Sequence, residues 1–138
     1  MSRMLRPTTT RARAAMHETS IVQNLIAMID EQLASQGPVR VKTVRLRVGP
    51  LAGVATDALQ FAFGAAAPGT LVECARLDIE NVELIVWCRV CLTERTLSSP
   101  QKMRCPVCDR PTPDVLGGSE LELAWLEVVD IPQATHAN

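Results

Sequence analysis

An α+β fold is predicted: two helices on a small three-stranded mixed sheet, interrupted before its last strand by an inserted ribbon with four cysteines. Three observations predict it. The hydrophobic period switches between three-to-four residues and two along the chain. Gly-Pro and Gly-Gly pairs punctuate the periodic segments. Four of the five cysteines fall within residues 83–117, a stretch that fits neither period.

The first helix is read from Ile21, Val22, Leu25, Ile26, Ile29 and Leu33, an apolar stripe at helical spacing. Ser20 with Gln23 three residues on fits a capping box, and Gly37-Pro38 stops the helix. In "VRVKTVRLRVGP", Val44, Leu46 and Val48 alternate with Arg45 and Arg47, which is a strand with one solvated face. Gly49-Pro50 ends it. Thr56-Asp57 opens a shorter helix, "TDALQFAFGAAA", broken at Pro68-Gly69. A strand from about Leu71 to Val82 follows, with Leu77 and Ile79 on one face. After the cysteine-rich stretch, Gly117-Gly118 leads into a last strand from Leu121 to Val128. That strand can rejoin the sheet only if residues 83–117 form a separate excursion.

With 138 residues and 47% hydrophobic content, the chain can bury one core; at 3% aromatics that core is aliphatic. No apolar run approaches a membrane span and no secretory signal is evident, so a cytoplasmic protein without membrane association is expected. The net charge of −1 hides an asymmetry. Residues 1–15 carry Arg3, Arg6, Arg11 and Arg13 without an acid, whereas the remainder has 10 basic and 15 acidic residues. The acidic body offers no footprint for nucleic acid. The Ser-, Thr- and Arg-rich leader resembles a transit peptide only loosely. It reads as a disordered tail, or as the product of a misassigned start with Met16 as the true first residue. Residues 131–138 read as a tail.

Within the excursion, "WCRVCLTERTLSSPQKMRCPVC" holds Cys88 and Cys91 two residues apart, and Cys105 and Cys108 likewise, with 13 residues between the pairs. Each two-residue gap lets both sulfurs of a pair face one ion, and two such knuckles complete an all-thiolate tetrahedron for structural Zn(II). Residues 83–117 are thus read as a zinc-ribbon domain whose metal supplies folding energy, with rubredoxin-like iron as the alternative. Four thiolates leave a net −2 on such a site, and Arg89, Lys102, Arg104 and Arg110 are near enough in sequence to offset it. The fifth cysteine, Cys74, is expected to pack as a small buried hydrophobe in a strand.

His17, one of only two histidines, stands at the mouth of the first helix. A lone histidine there is ordinarily solvated. Were the chain to begin at Met16, a free amine, the His17 imidazole and adjacent amide nitrogens could surround one ion in a plane. That is the geometry Ni²⁺ and Cu²⁺ favour.

Here the sequence resembles the HypA/HybF family of hydrogenase maturation proteins. The resemblance runs in order through Met16-His17-Glu18, "VRLRVGPLAGV", "ALQFAF", "PGT", "ARLDIE", "WCRVC", "CPVC" and the Gly-Gly-x-Glu-Leu entry to the last strand, covering roughly residues 16–130. It implies a nickel metallochaperone that delivers Ni(II) to the large subunit of [NiFe]-hydrogenase. It implies a maturation GTPase as partner, urease maturation factors in some bacteria, and leaves homodimerisation open. Residue by residue, Met16, His17 and Glu18 match the nickel motif, and Cys88, Cys91, Cys105 and Cys108 match the zinc ligands. Residues 16–82 and 118–130 would then form the nickel-binding domain. The sequence departs from the family in two places. Fifteen residues precede the motif, which turns the Met16 amine into an amide. Where many members carry an acid after the turn that closes the first strand, this chain has Ala55, with Asp57 nearby.

Two other classes compete. A zinc-ribbon adaptor for protein contacts is the main alternative. Its nucleic-acid version lacks stacking aromatics beyond Trp87, and residues 83–117 carry five basic against four acidic side chains. A metal-dependent hydrolase wants an open metal position with a placed acid or base, yet only His17 and His136 exist, and no Walker-type loop is present. The protein is therefore not expected to be an enzyme.

Overall fold

The structure, a computed structural model, describes residues 2–7 and 17–132. In chain order its elements are β1 (Ser2–Leu5), α1 (Glu18–Leu33), β2 (Val39–Val48), α2 (Thr56–Ala66), β3 (Arg76–Asn81), β4 (Leu84–Cys88), β5 (Thr93–Leu97), β6 (Asp114–Gly117) and β7 (Leu121–Asp130). The class is α+β, as expected.

One sheet has four strands in the order β1-β7-β2-β3. The β2–β3 pair is parallel and the other two pairs are antiparallel, so the sheet is mixed. Both helices cover one face. Ile21, Leu25, Ile29 and Leu33 of α1 and Leu59 and Phe63 of α2 pack on Val44, Leu46, Leu77, Leu123 and Leu126 in a single aliphatic core. The opposite face is charged: Arg45 reaches Asp78 at 2.6 Å and Glu80 at 3.2 Å, and Arg47 reaches Glu80 and Glu122 at 3.5 Å. The Arg45/Arg47 alternation thus marks a solvated face. A register shift between Val41 and Thr43 puts Lys42 and Thr43 side by side on the charged face, where Thr43 donates to Glu127 at 2.9 Å and Lys42 approaches it at 3.9 Å, a bulge that a strict two-residue period does not anticipate.

Three expectations need correction here. The sheet has a fourth strand because the leader is not simply a disordered tail: Ser2–Leu5 pairs with Val129–Leu126 of β7. Arg3 fixes this edge with a 2.9 Å bond to Asp130 and another to Gln36, and the Arg6 carbonyl accepts from Gln32. Second, α1 starts at Glu18 with His17 as its N-cap, so Ser20 lies inside the helix and is no cap. Third, β3 begins only at Arg76. Residues 71–74 form turns, and Cys74 is exposed there.

The second sheet, β5-β4-β6, is antiparallel and covers little: Leu84, Val86 and Leu97 are buried, with Met103 against them. The two sheets meet where backbones touch. Gly49 and Gly118 approach so closely that a Cβ on Gly49 would fall 2.1 Å from the Gly118 oxygen, and Leu51 donates to that oxygen at 2.8 Å. Gly118 itself takes φ +121°, open essentially to glycine alone. The Gly-Gly punctuation therefore marks a backbone crossing between the ribbon and β7.

Candidate metal centres

The Cys88–Cys91 and Cys105–Cys108 turns are built alike. In each, the residue after the second cysteine donates back to the first cysteine's carbonyl, Leu92 to Cys88 at 2.8 Å and Asp109 to Cys105 at 2.9 Å. Those two residues, Leu92 at φ 55° and Asp109 at φ 60°, are the described non-glycine residues in the left-handed region. Backbone N–H groups point at the sulfurs: Cys91 at Cys88 Sγ, 3.3 Å, and Val107 and Cys108 at Cys105 Sγ, 3.4 and 3.5 Å. Such donors hold a sulfur in place and favour its thiolate.

All four sulfurs lie within 4.8 Å of one another. Cys88 and Cys108 stand 3.5 Å apart, and Cys91 and Cys105 3.9 Å. A tetrahedron with metal–sulfur bonds of about 2.3 Å has edges of about 3.8 Å, so the donor set fits a four-coordinate ion. Cys105 is drawn down to about 6, chiefly by the Cys108 N–H, and Cys88 is lowered by the Cys91 N–H. At Cys108 the Arg110 N–H pulls downward, but burial and the neighbouring sulfurs push its thiol up to about 11. Four crowded thiolates need a cation among them to coexist at neutral pH. A site closed on four sides by protein leaves no position for a substrate.

Two of the four cations that the sequence places near this site have other partners. Arg89 is bound to Asp114 through two bonds of 2.6 and 2.7 Å, and Arg104 donates to the Asp109 carbonyl. Lys102 and Arg110 are exposed. The guanidinium whose charged form the Cys91 and Cys105 sulfurs favour belongs to Arg95. The signal was present in "TERTL", where Arg95 shares the alternation of Leu97 and so faces inward.

At the other end of the molecule, His17 is extended (φ −63°, ψ 153°), its side chain is exposed, and its carbonyl accepts the Ile21 N–H at 2.9 Å. The Glu18 carboxylate turns away to accept the backbone N–H of Ala55, the N-cap of α2, at 3.2 Å, which holds it below the usual carboxylate range. One side chain of α1 thus ties the starts of both helices together. The position where an acid would be expected supplies an N–H instead. Asp57, in the first turn of α2, is exposed. Met16 lies outside the described residues, as does His136.

Comparison with known proteins places these features together. Residues 16–128 match the family model described as "Hydrogenase/urease nickel incorporation, metallochaperone, hypA". Among curated relatives, the "Hydrogenase maturation factor HypA" of Chloroflexus aurantiacus is 46% identical over 112 residues, covering 81% of this chain and 98% of the relative. The protein of the same name from Roseiflexus sp. is 45% identical over 121 residues, covering 87% and 98%. Two solved structures share the fold with TM-scores of 0.59. "Solution structure of HypA protein" is 25% identical over 85% of this chain and 99% of that one. "Solution structure of the Ni metallochaperone HypA from Helicobacter pylori" is 24% identical over 84% and 100%. With residues 16–128 matched by the family model and relatives 45–46% identical over nearly their whole length, the chain belongs to the HypA family of hydrogenase maturation factors.

Proposed function

We propose that this chain is a nickel metallochaperone that binds Ni(II) at Met16-His17-Glu18 and hands it on during [NiFe]-hydrogenase maturation, with Zn(II) held by Cys88, Cys91, Cys105 and Cys108. The observation that carries the reading is the exposed His17 imidazole on an extended helix entry, in a chain matched to a nickel-incorporation family. An imidazole there offers one nitrogen, and the extended backbone around it offers amide nitrogens for the rest of a square plane. A shallow site suits a cargo that must leave. Glu18, occupied by Ala55, would contribute its backbone nitrogen rather than its carboxylate. The zinc site is closed and structural, so the protein acts without catalysing a reaction. Its partners would be a maturation GTPase and the hydrogenase large subunit, with urease maturation factors as further clients, all in the cytoplasm.

In the full chain the Met16 nitrogen is an amide, and Ser2–Leu5 pairs with β7. The full chain is therefore expected to bind nickel more weakly, or with different coordination, than a chain beginning at Met16. Calorimetric nickel titration of both zinc-loaded forms, and of His17→Ala, tests this. One-to-one binding that His17→Ala abolishes supports the reading, and tighter binding by the Met16 form makes the amine a ligand. If neither form binds nickel, the metallochaperone reading fails. The zinc-ribbon adaptor then takes its place, a role the exposed Val90, Leu92 and Val107 at the two knuckles would suit.

A further inference from the structure

Alternation along the ribbon strands places Leu84, Val86 and Cys88 of β4 on the inner face. On β5 the residues opposite them, Leu97, Arg95 and Thr93, face the same way. Arg95 is therefore the one long cation on a face that otherwise holds the small ribbon core and a metal-ligating cysteine. Its Nε is buried and has no hydrogen-bond partner, and the Cys91 and Cys105 sulfurs, one from each knuckle, are the groups that favour its charged form. A guanidinium N–H buried without a partner is costly unless something negative stands beside it. Of the other nearby arginines, Arg89 is bound to the Asp114 carboxylate, Arg104 to the Asp109 carbonyl, and Arg110 is exposed.

We propose that Arg95 is a positioning residue of the four-cysteine centre: its guanidinium bridges Cys91 and Cys105 across the two knuckles and slows the release of zinc. The proposal rests on the zinc reading above. Zinc on four thiolates carries −2, and a guanidinium beside two of the sulfurs offsets part of that charge. Bonding to both knuckles also opposes their separation, the motion by which a chelator would gain access. Partners of metal ligands in this outer position typically govern affinity by about 10–100-fold.

The test uses the full-length zinc-loaded protein, with Arg95→Met, Arg95→Lys and, as control, Arg89→Gln. Zinc transfer to excess EDTA is followed by stopped flow with a chromogenic indicator. The cobalt-substituted forms are compared by absorption. Arg95→Met should release zinc about tenfold faster or more. Its thiolate-to-cobalt charge-transfer band should move to lower energy while the d–d bands keep their tetrahedral pattern, a shift that a loss of packing alone would not produce. Arg95→Lys should recover part of both effects, and Arg89→Gln should match wild type. Should Arg95→Met fail to take up metal, Arg95→Lys decides: slow release supports a role for the charge, and release as fast as from an unfolded ribbon overturns it. Unchanged release and an unmoved band in Arg95→Met would overturn the inference while leaving the zinc site intact. Wild-type protein that binds no zinc would overturn both.

Discussion

The two sheets of this molecule are held by different physics. The four-stranded sheet buries side chains from α1, α2 and its three longer strands in one aliphatic core. The ribbon buries Leu84, Val86 and Leu97, with Met103 at their edge, and brings four cysteines together. Burial alone cannot order a unit with so little inside. The ribbon also spends stability on its knuckles: Leu92 and Asp109 both occupy the left-handed region, at a cost of order 1–3 kcal/mol each that only a tightly specified surrounding sustains. Metal ligation is what can specify it. On the zinc reading proposed above, the larger sheet is a scaffold that stands without metal and presents His17, while the smaller depends on its metal.

Breaking the larger region should need a core mutation. Leu46, fully buried in the central strand β2, is the sharpest choice. Leu46→Ala should cost about 2–5 kcal/mol in urea unfolding followed through Trp125 of β7, in a background where Trp87 is replaced by Phe. The four ribbon cysteines, which lie outside that sheet, should keep their zinc in that variant up to its own transition.

Next in size is the crossing between the regions. Gly49→Ala sets a methyl against the Gly118 backbone, and no flexible side chain is there to yield. A loss of about 1–3 kcal/mol is expected, with Trp87 and Trp125 both reporting it, because the crossing serves both sheets. Loss seen by one tryptophan alone would show the two regions to be less coupled than the Gly49–Gly118 contact implies.

A gain should come from the ribbon. Leu92 is exposed, so Leu92→Asn sacrifices no core and places a residue tolerant of positive φ at that turn. Thermal unfolding of the zinc form should shift upward, by roughly 1 kcal/mol of stability. The same substitution should leave the metal-free ribbon as disordered as before.

The smallest effect is at the leader. The Arg3 guanidinium holds the Asp130 carboxyl below its ordinary 3.8. A carboxyl lowered in the folded state stabilises fully above its unfolded value and loses that contribution as pH falls through the folded one. Wild type should thus exceed Arg3→Gln in stability by a small margin above pH 3.8. That margin should close on further acidification, since exposed pairs contribute little. A margin that widens in acid would mean Arg3 acts through packing.

How far these features could be read in advance differs by residue. The α1 stripe, the two C-x2-C pairs and the Arg45/Arg47 alternation each express a single local period, and each survives folding unchanged. What local pattern missed was set by distant partners. Ser20 reads as a cap in isolation. The helix begins earlier because Glu18 finds the Ala55 N–H, 37 residues away. Four residues of a polar leader carry no strand signal of their own, and β1 exists because β7 and Asp130 meet it from the far end of the chain. Cys74 looks buried by residue type and is exposed because the strand starts after it. Arg95 was legible by alternation, yet nearness in sequence points to Arg89 instead, whose partner is Asp114.

The most direct measurement is hydrogen exchange by mass spectrometry on the zinc-loaded protein, before and after zinc is withdrawn with a chelator under reducing conditions. Peptides covering β4, β5 and β6 should lose nearly all protection, while those covering α1, β2 and β7 keep theirs except at the Gly118 crossing. Protection lost equally from both sheets, or retained in the ribbon, would contradict the division of the molecule into a region held by its core and a region held by its metal.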